Sequence, residues 1–317
     1  LEIAKLRAAR VLCQQVLEAF GVQPREQPPM RLHARTSLLT ASRFDPFTNL
    51  LRATTGAMSA ALGGADTISV EAFGYDTHLA ENVPRVLDHE AHLAAVTDPA
   101  AGSWFVESLT DSLAREAWTL LQEIERAGGF AAAVESGDIA RAVEAARAAK
   151  AEALAVRRWT LVGVNDYPDP DERSIADPGR IPEIARLAEP FEEIRLRTLR
   201  HVDDTGRRPL VQLVARGDAG TRMARVNFCR NLFGVAGFAI EQVDRPTDAA
   251  DLVVLCAPDA DYPALVEEIR HATRAPILVA GRPPEADALR DAGVQDFLYQ
   301  GIDVVQTLRR WQERVGI

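Results

Sequence analysis

Only three cysteines, Cys13, Cys229 and Cys256, occur in 317 residues, and no two form a CxxC pair. A disulfide framework and a zinc knuckle both need paired spacing, so neither is expected and the three read as buried small hydrophobes. No stretch reaches about 18 uninterrupted apolar residues, and no signal-peptide pattern opens the chain. The expectation is a cytoplasmic protein that neither spans a membrane nor is secreted. Basic charge is also short, with 36 Lys and Arg against 46 Asp and Glu for a net charge of -10. That argues against nucleic acid or an anionic membrane as the main partner, because phosphate binding needs a basic footprint. What is present, 47% hydrophobic and 26% charged residues, suits one or two globular domains with real cores.

The first half reads as β/α units. Apolar residues Leu6, Ala9, Cys13, Val16 and Phe20 recur at steps of three and four and stop at Gly21, which makes one amphipathic helix. "PMRLHART" reads as a strand. Asp45 and Pro46 read as an N-cap and first-turn proline for a helix from Phe47 to Leu62, closed by Gly63 and Gly64. "DTISVEAF" is the next strand. "HLAAVTDPAAGSWF" is expected to contain another, before Ser108 and Asp111 supply a capping box for a helix from Leu109 to Ala127. Three strands cannot close a (β/α)₈ barrel, which needs eight strands and about 250 residues. The chain also starts without Met inside a helical pattern, so the expectation is a fragment, by truncation or by a split gene, with another layer covering the sheet as the alternative.

Residues 150–208 change character, with Pro168, Pro170, Pro178, Pro182 and Pro190 breaking the periodicity. They read as a linker carrying a helix from about Pro190 to His201. Regular alternation follows: strands at Leu210 to Ala215, Phe238 to Val243, Leu252 to Ala257, Pro276 to Ala280 and Asp296 to Tyr299, separated mostly by helices. That pattern implies a parallel, doubly wound sheet of flavodoxin type.

The commonest ligand of such a sheet is a dinucleotide, and the first loop, "RGDAGTRMA", lacks the GxGxxG spacing that cradles one. A phosphate-accepting regulator would want clustered acids and a lysine near the last strand. Asp218 stands alone, and no lysine follows Lys150. His89 and His92 in "DHEAH" are not the HExxH zinc pattern and have no third ligand nearby. If the strand carrying His33 belongs to a barrel, Arg35 at its end is a candidate contact for an anion or acyl thioester, with a salt bridge as the plain alternative.

Three stretches, "LEIAKLRAARVLCQQV", "RTSLLTASRFDPFTNLLRATTGAMSAALGGADTISVEAF" and "DPAAGSWFVESLTDSLAREAWTLLQEIERAGGF", resemble the second half of the acyl-CoA-binding barrel of methylmalonyl-CoA mutases. The likeness is dense over residues 1–135 and, with the linker and final sheet, covers most of the chain. It implies an adenosylcobalamin-dependent isomerase assembly in which a TIM-type barrel holds the CoA ester and a flavodoxin-like domain holds the corrin. In active members that domain carries an Asp-x-His-x-x-Gly loop whose histidine ligates cobalt. The matching stretch here is "DAGTRM": Asp218 fits, Gly220 stands at the histidine, Thr221 follows it, and Met223 stands at the glycine. Glycine has no donor atom, so the resemblance implies a degenerate loop that does not bind cobalamin. Active members also carry a glutamine where "ARTSLLT" has Arg35, and a histidine in the strand that here reads "SVEAF". A charged guanidinium does not imitate a neutral amide.

Two degraded sites together resemble the small, non-catalytic subunits of heterodimeric members of the family. The resemblance implies residues 1–149 as the second half of the barrel, 150–208 as a linker with a helix, and 209–317 as a flavodoxin-like domain of cobalamin-binding type. It further implies no catalytic or metal-binding residue in this chain, a catalytic large subunit as partner, adenosylcobalamin held by that partner, and acyl-CoA as the assembly's substrate. Two rivals stay open: a divergent mutase chain for another acyl-CoA, with Arg35 recognising its acid, and a corrin or acyl-CoA sensor module.

Overall fold

The computed structural model describes residues 1–22, 30–173 and 185–317. Pro178 and Pro182 of the expected linker lie outside them. By contact pattern the described residues form two units, one of 1–22, 30–41 and 46–147, the other of 42–45, 148–173 and 185–317.

The N-terminal unit runs α1 (Glu2–Ala19), β1 (His33–Arg35), α2 (Pro46–Leu62), β2 (Thr67–Ser69), α3 (Thr77–His89), α4 (Trp104–Arg126), α5 (Gly129–Glu135) and α6 (Asp138–Ala155), with the break between units inside α6. Strands β1 and β2 pair in parallel, His33 opposite Thr67 and Arg35 opposite Ser69. Strand alternation sends Ile68 to a small core with Ala57, Val83 and Leu87, while His33, Arg35, Thr67 and Ser69 share the other face. This much is an α/β arrangement with parallel pairing, as expected.

Two local expectations need correction. No strand forms in "HLAAVTDPAAGSWF", which is turns and bends up to the start of α4. That helix begins at Trp104, with Ser103 as N-cap, so Ser108 and Asp111 lie inside it. Asp111 pairs there with Arg115 at 2.9 Å, and Glu107 instead accepts the Gly102 N–H at 3.0 Å. Helix α2 does open at Pro46, directly after Asp45, whose φ of 57° lies in the left-handed region.

The C-terminal unit runs α7 (Glu189–Thr205), β3 (Leu210–Ala215), α8 (Ala219–Val235), β4 (Ala239–Val243), β5 (Leu252–Cys256), α9 (Tyr262–Ile269), β6 (Ile277–Ala280), α10 (Ala286–Asp291), β7 (Val294–Leu298) and α11 (Val304–Arg314). All pairs in its sheet are parallel, in the order β4-β3-β5-β6-β7. Strand β5, "LVVLC", is buried at every residue because helices cover both of its faces. Val253 and Leu255 meet Leu265, Val266 and Ile269 of α9 and Leu289 of α10. Helices α7, α8 and α11 pack on one another, and α8 lies along β3, β4, β5 and β6. Residues 156–173, which follow α6, belong to this unit. Asn165, fully buried, accepts the Leu161 N–H at 2.7 Å and donates to the carbonyls of Leu154 and Trp159 at 2.9 and 2.8 Å.

Candidate functional site

In an open parallel sheet, ligands bind beyond the carboxyl ends of the strands where the strand order reverses, here between β3 and β5. Strand β3 ends at Ala215 and passes through Arg216, Gly217 and Asp218 into α8. Asp218 is the N-cap of that helix: its Oδ1 accepts the Thr221 N–H at 3.0 Å, a bond that holds the carboxyl below the usual carboxylate range. Gly220 and Met223 are exposed. A β-carbon on Gly220 would sit 3.4 Å from Asp218 Oδ1, an ordinary contact, so the missing side chain is not excluded by space. No imidazole or thiolate stands between Arg216 and Thr221. The nearest thiols are no substitute, because Cys229 and Cys256 are wholly buried and the Cys229 thiol is pushed well up by its hydrogen bond to Cys256 and by burial.

The crevice itself is closed. Gly217, at φ 85°, lies so near the β5–α9 turn that a β-carbon would overlap the Pro258 ring. Beside it Arg225, on α8, reaches over the strand ends. Its guanidinium donates to the carbonyl of Ala257, to the Tyr262 hydroxyl at 2.5 Å and to Asp259 Oδ1 at 2.5 Å. Tyr262 in turn accepts the Ala257 N–H at 3.3 Å and donates to the Ala280 carbonyl at 2.5 Å, and burial pushes its phenol pKa up. Gly281, φ 131°, leaves the room the guanidinium takes, since a β-carbon there would be 3.2 Å from it. The residues present do not fit a corrin whose metal takes a side-chain ligand from this loop. The sequence reading missed Arg225, Tyr262, Asp259 and both strand-end glycines. Gly217 and Gly281, each just past a buried parallel strand, were the available signal, because glycine at such a place marks close approach by a neighbour.

In the N-terminal unit, Arg35 Nε lies 3.0 Å from Glu71 Oε1, so the strand-end arginine is in an ion pair. His33 is flanked by Thr67 Oγ1 at 2.7 Å and Ser69 Oγ at 3.3 Å. The Glu71 N–H donates to Thr36 Oγ1 at 2.8 Å, and the Tyr75 hydroxyl donates to the Glu71 carbonyl at 2.8 Å. The cavity lined by Thr36, Asn49, Arg52, Glu71 and Phe73 measures about 10 Å³, no more than one water needs. His89 ends α3 and His92 has φ 54°, and among the described residues no three His, Cys, Asp or Glu side chains converge as metal ligands. Of the tryptophans, Trp311 is buried and Trp104 is 81% exposed. No helix among the described residues is long and apolar enough to cross a membrane.

Residues 1–214 match a family model described as methylmalonyl-CoA mutase. The chain is 36% identical, over an alignment 349 positions long, to the methylmalonyl-CoA mutase small subunit of Streptomyces virginiae, covering 100% of this chain and 55% of that one. It is 34% identical to the small subunit of Porphyromonas gingivalis, covering 100% and 56%. A protein named methylmalonyl-CoA mutase from Escherichia coli is 34% identical over 175 residues, 53% of this chain and 24% of that one. The chain thus spans about half the length of the small subunits it matches. With a family model matched over residues 1–214, two-thirds of the chain, and small subunits aligned over all of it, the chain belongs to the methylmalonyl-CoA mutase family.

Proposed function

We propose that this chain is part of the small subunit of a two-chain methylmalonyl-CoA mutase and contributes structure instead of catalytic groups. The observation that carries the reading is the loop at the β3 carboxyl end, where Asp218 caps α8 and Gly220 offers no donor. A catalytic large subunit is then the partner. It holds adenosylcobalamin and the acyl-CoA and carries the interconversion of methylmalonyl-CoA and succinyl-CoA. Relatives matched over the whole chain carry the small-subunit name, while the Escherichia coli mutase aligns with only about half of it.

The architecture that goes with this function is a barrel part followed by a flavodoxin-like domain. Residues 1–149 are read as the second half of a TIM-type barrel, on the support of parallel strands with helices against one face and a polar row, His33, Arg35, Thr67 and Ser69, on the other. Residues 150–208 are read as the connecting segment with α7, because 150–173 and 185–208 group with the sheet that follows. Residues 209–317 are read as the flavodoxin-like domain, because the first strand lies inside the second in the order 2-1-3-4-5. The divergent-mutase alternative needs Arg35 free for an acid, and its pairing with Glu71 weighs against that.

The test is co-purification with the intact large chain of the same organism, read by mass in size-exclusion chromatography and by mutase turnover. A one-to-one complex that turns over while this chain alone does not is the expected result. Turnover by this chain alone, or a chain that stays alone beside an active large chain, overturns the reading.

A further inference from the structure

The loss of the ligand histidine accounts for only part of what the carboxyl edge of the sheet looks like. A loop lacking one side chain would leave an open crevice, whereas here the crevice is filled. Gly217 and Pro258 meet across the point where the strand order reverses, and Arg225 lies over the ends of β5 and β6. The Arg225 side chain is 20% exposed, and each of its terminal nitrogens has an acceptor: Ala257 and Tyr262 for one, Asp259 for the other. Its carbon also stands 5.2 Å from the centre of the Tyr262 ring. A planar cation held by a carboxylate, a carbonyl and a phenol is fixed in direction as well as place. Tyr262 passes the connection on to Ala280 at the end of β6, so α8, β5, α9 and β6 are tied together at one spot.

We propose that Arg225 is a built-in plug: it takes the space at the sheet's carboxyl edge that a ligand tail would enter, and so closes this domain to a corrin even when a ligand histidine is supplied. The inference rests on reading the domain as the counterpart of a cobalamin-binding one, and it assigns the exclusion to named side chains. Three features make the plug possible. Gly281 leaves room for the guanidinium, Asp259 supplies the counter-charge, and Tyr262 supplies an oxygen at a place where β5 and β6 expose main-chain groups. The Ala257 carbonyl and N–H and the Ala280 carbonyl thereby find partners within the chain.

The experiment titrates hydroxocobalamin into the full chain and follows the visible absorbance change that histidine ligation produces. Three proteins are compared: Gly220→His, Gly220→His with Arg225→Ala, and Gly220→His with Arg230→Ala, the last removing a charge from an exposed position of α8 outside the plug. The expected result is no saturable change for the first and third and a saturable one for the second, with affinity raised by about tenfold or more. Equal affinity in the first and second, including binding too weak to see in both, overturns the proposal, as does the same gain from Arg230→Ala. Should Arg225→Ala lose its folded circular dichroism, Arg225→Ser, which vacates the same space and leaves a donor for Asp259, takes its place with the same expected direction. The outcome is separate from subunit pairing, because a chain that forms the one-to-one complex and yet gains nothing from Arg225→Ala defeats only the plug.

Discussion

Among single residues, Glu192 holds the most exacting position outside the crevice. It sits on α7 with its side chain 4% exposed and receives both terminal nitrogens of the equally buried Arg186, at 2.5 and 2.8 Å. The same carboxylate accepts the Arg43 N–H at 2.8 Å. A bidentate pair out of water costs desolvation on both sides, and removing one partner leaves the other charge uncompensated. Glu192→Ala is expected to destabilise the C-terminal unit by about 3–5 kcal/mol, read from the urea midpoint of its unfolding. A midpoint within error of the parent would mean that the pair contributes little. Neither residue was visible from the sequence, where Arg186 and Glu192 are two charges among many in a proline-broken stretch. Nothing in their spacing says that they face each other away from water.

At the scale of elements, the start of the two-stranded sheet depends on one carboxylate. Asp66, just before β2, accepts the Leu32 N–H at 2.7 Å just before β1 and pairs with Arg10 of α1 at 2.8 Å. Arg10 also donates to the carbonyls of Met30 and Gly64. The Leu32 N–H first, and Arg10 after it, hold the Asp66 pKa below its ordinary value. A depressed folded-state pKa contributes stability that is present above the unfolded value of about 3.9 and is lost as pH falls through the folded one. The melting temperature of the N-terminal unit is therefore expected to fall on acidification below about pH 4, and Asp66→Asn to flatten that fall while lowering the melt at neutral pH. Parallel acid profiles for parent and variant would remove Asp66 from the account. Elements such as these were unevenly legible. "LVVLC" and its neighbours betray a doubly covered sheet because buried strands are simply apolar, whereas α3, α5 and α6 went unread, with α6 built mostly of alanine and charge. The false strand in "HLAAVTDPAAGSWF" has the same origin: a short apolar run is ambiguous until its neighbours are known.

Over the whole molecule the two units differ in how completely they cover themselves. In the C-terminal unit β5 is buried at all five positions, β6 at all four, and β3 at five of six. In the N-terminal unit the 23 residues of α4 include one buried position, Thr110, while Trp104 and Phe105 are 81% and 66% exposed. An amide opens at the free energy of the smallest cooperative piece that contains it, and that piece is large only where apolar contacts are dense. Hydrogen exchange of the chain on its own is thus expected to be slowest in β5 and β6 and faster in α4 by roughly a hundredfold or more. The contrast bears on the proposed function, under which a chain acting through its surface exposes the apolar area that an assembly covers. Added large subunit is then expected to slow exchange in the N-terminal unit while leaving β5 and β6 unchanged, their protection being set by a core already closed. Exchange in α4 as slow as in β5 without any partner would show that its exposed aromatics cost the isolated chain nothing, and would take away the reason to look for their cover.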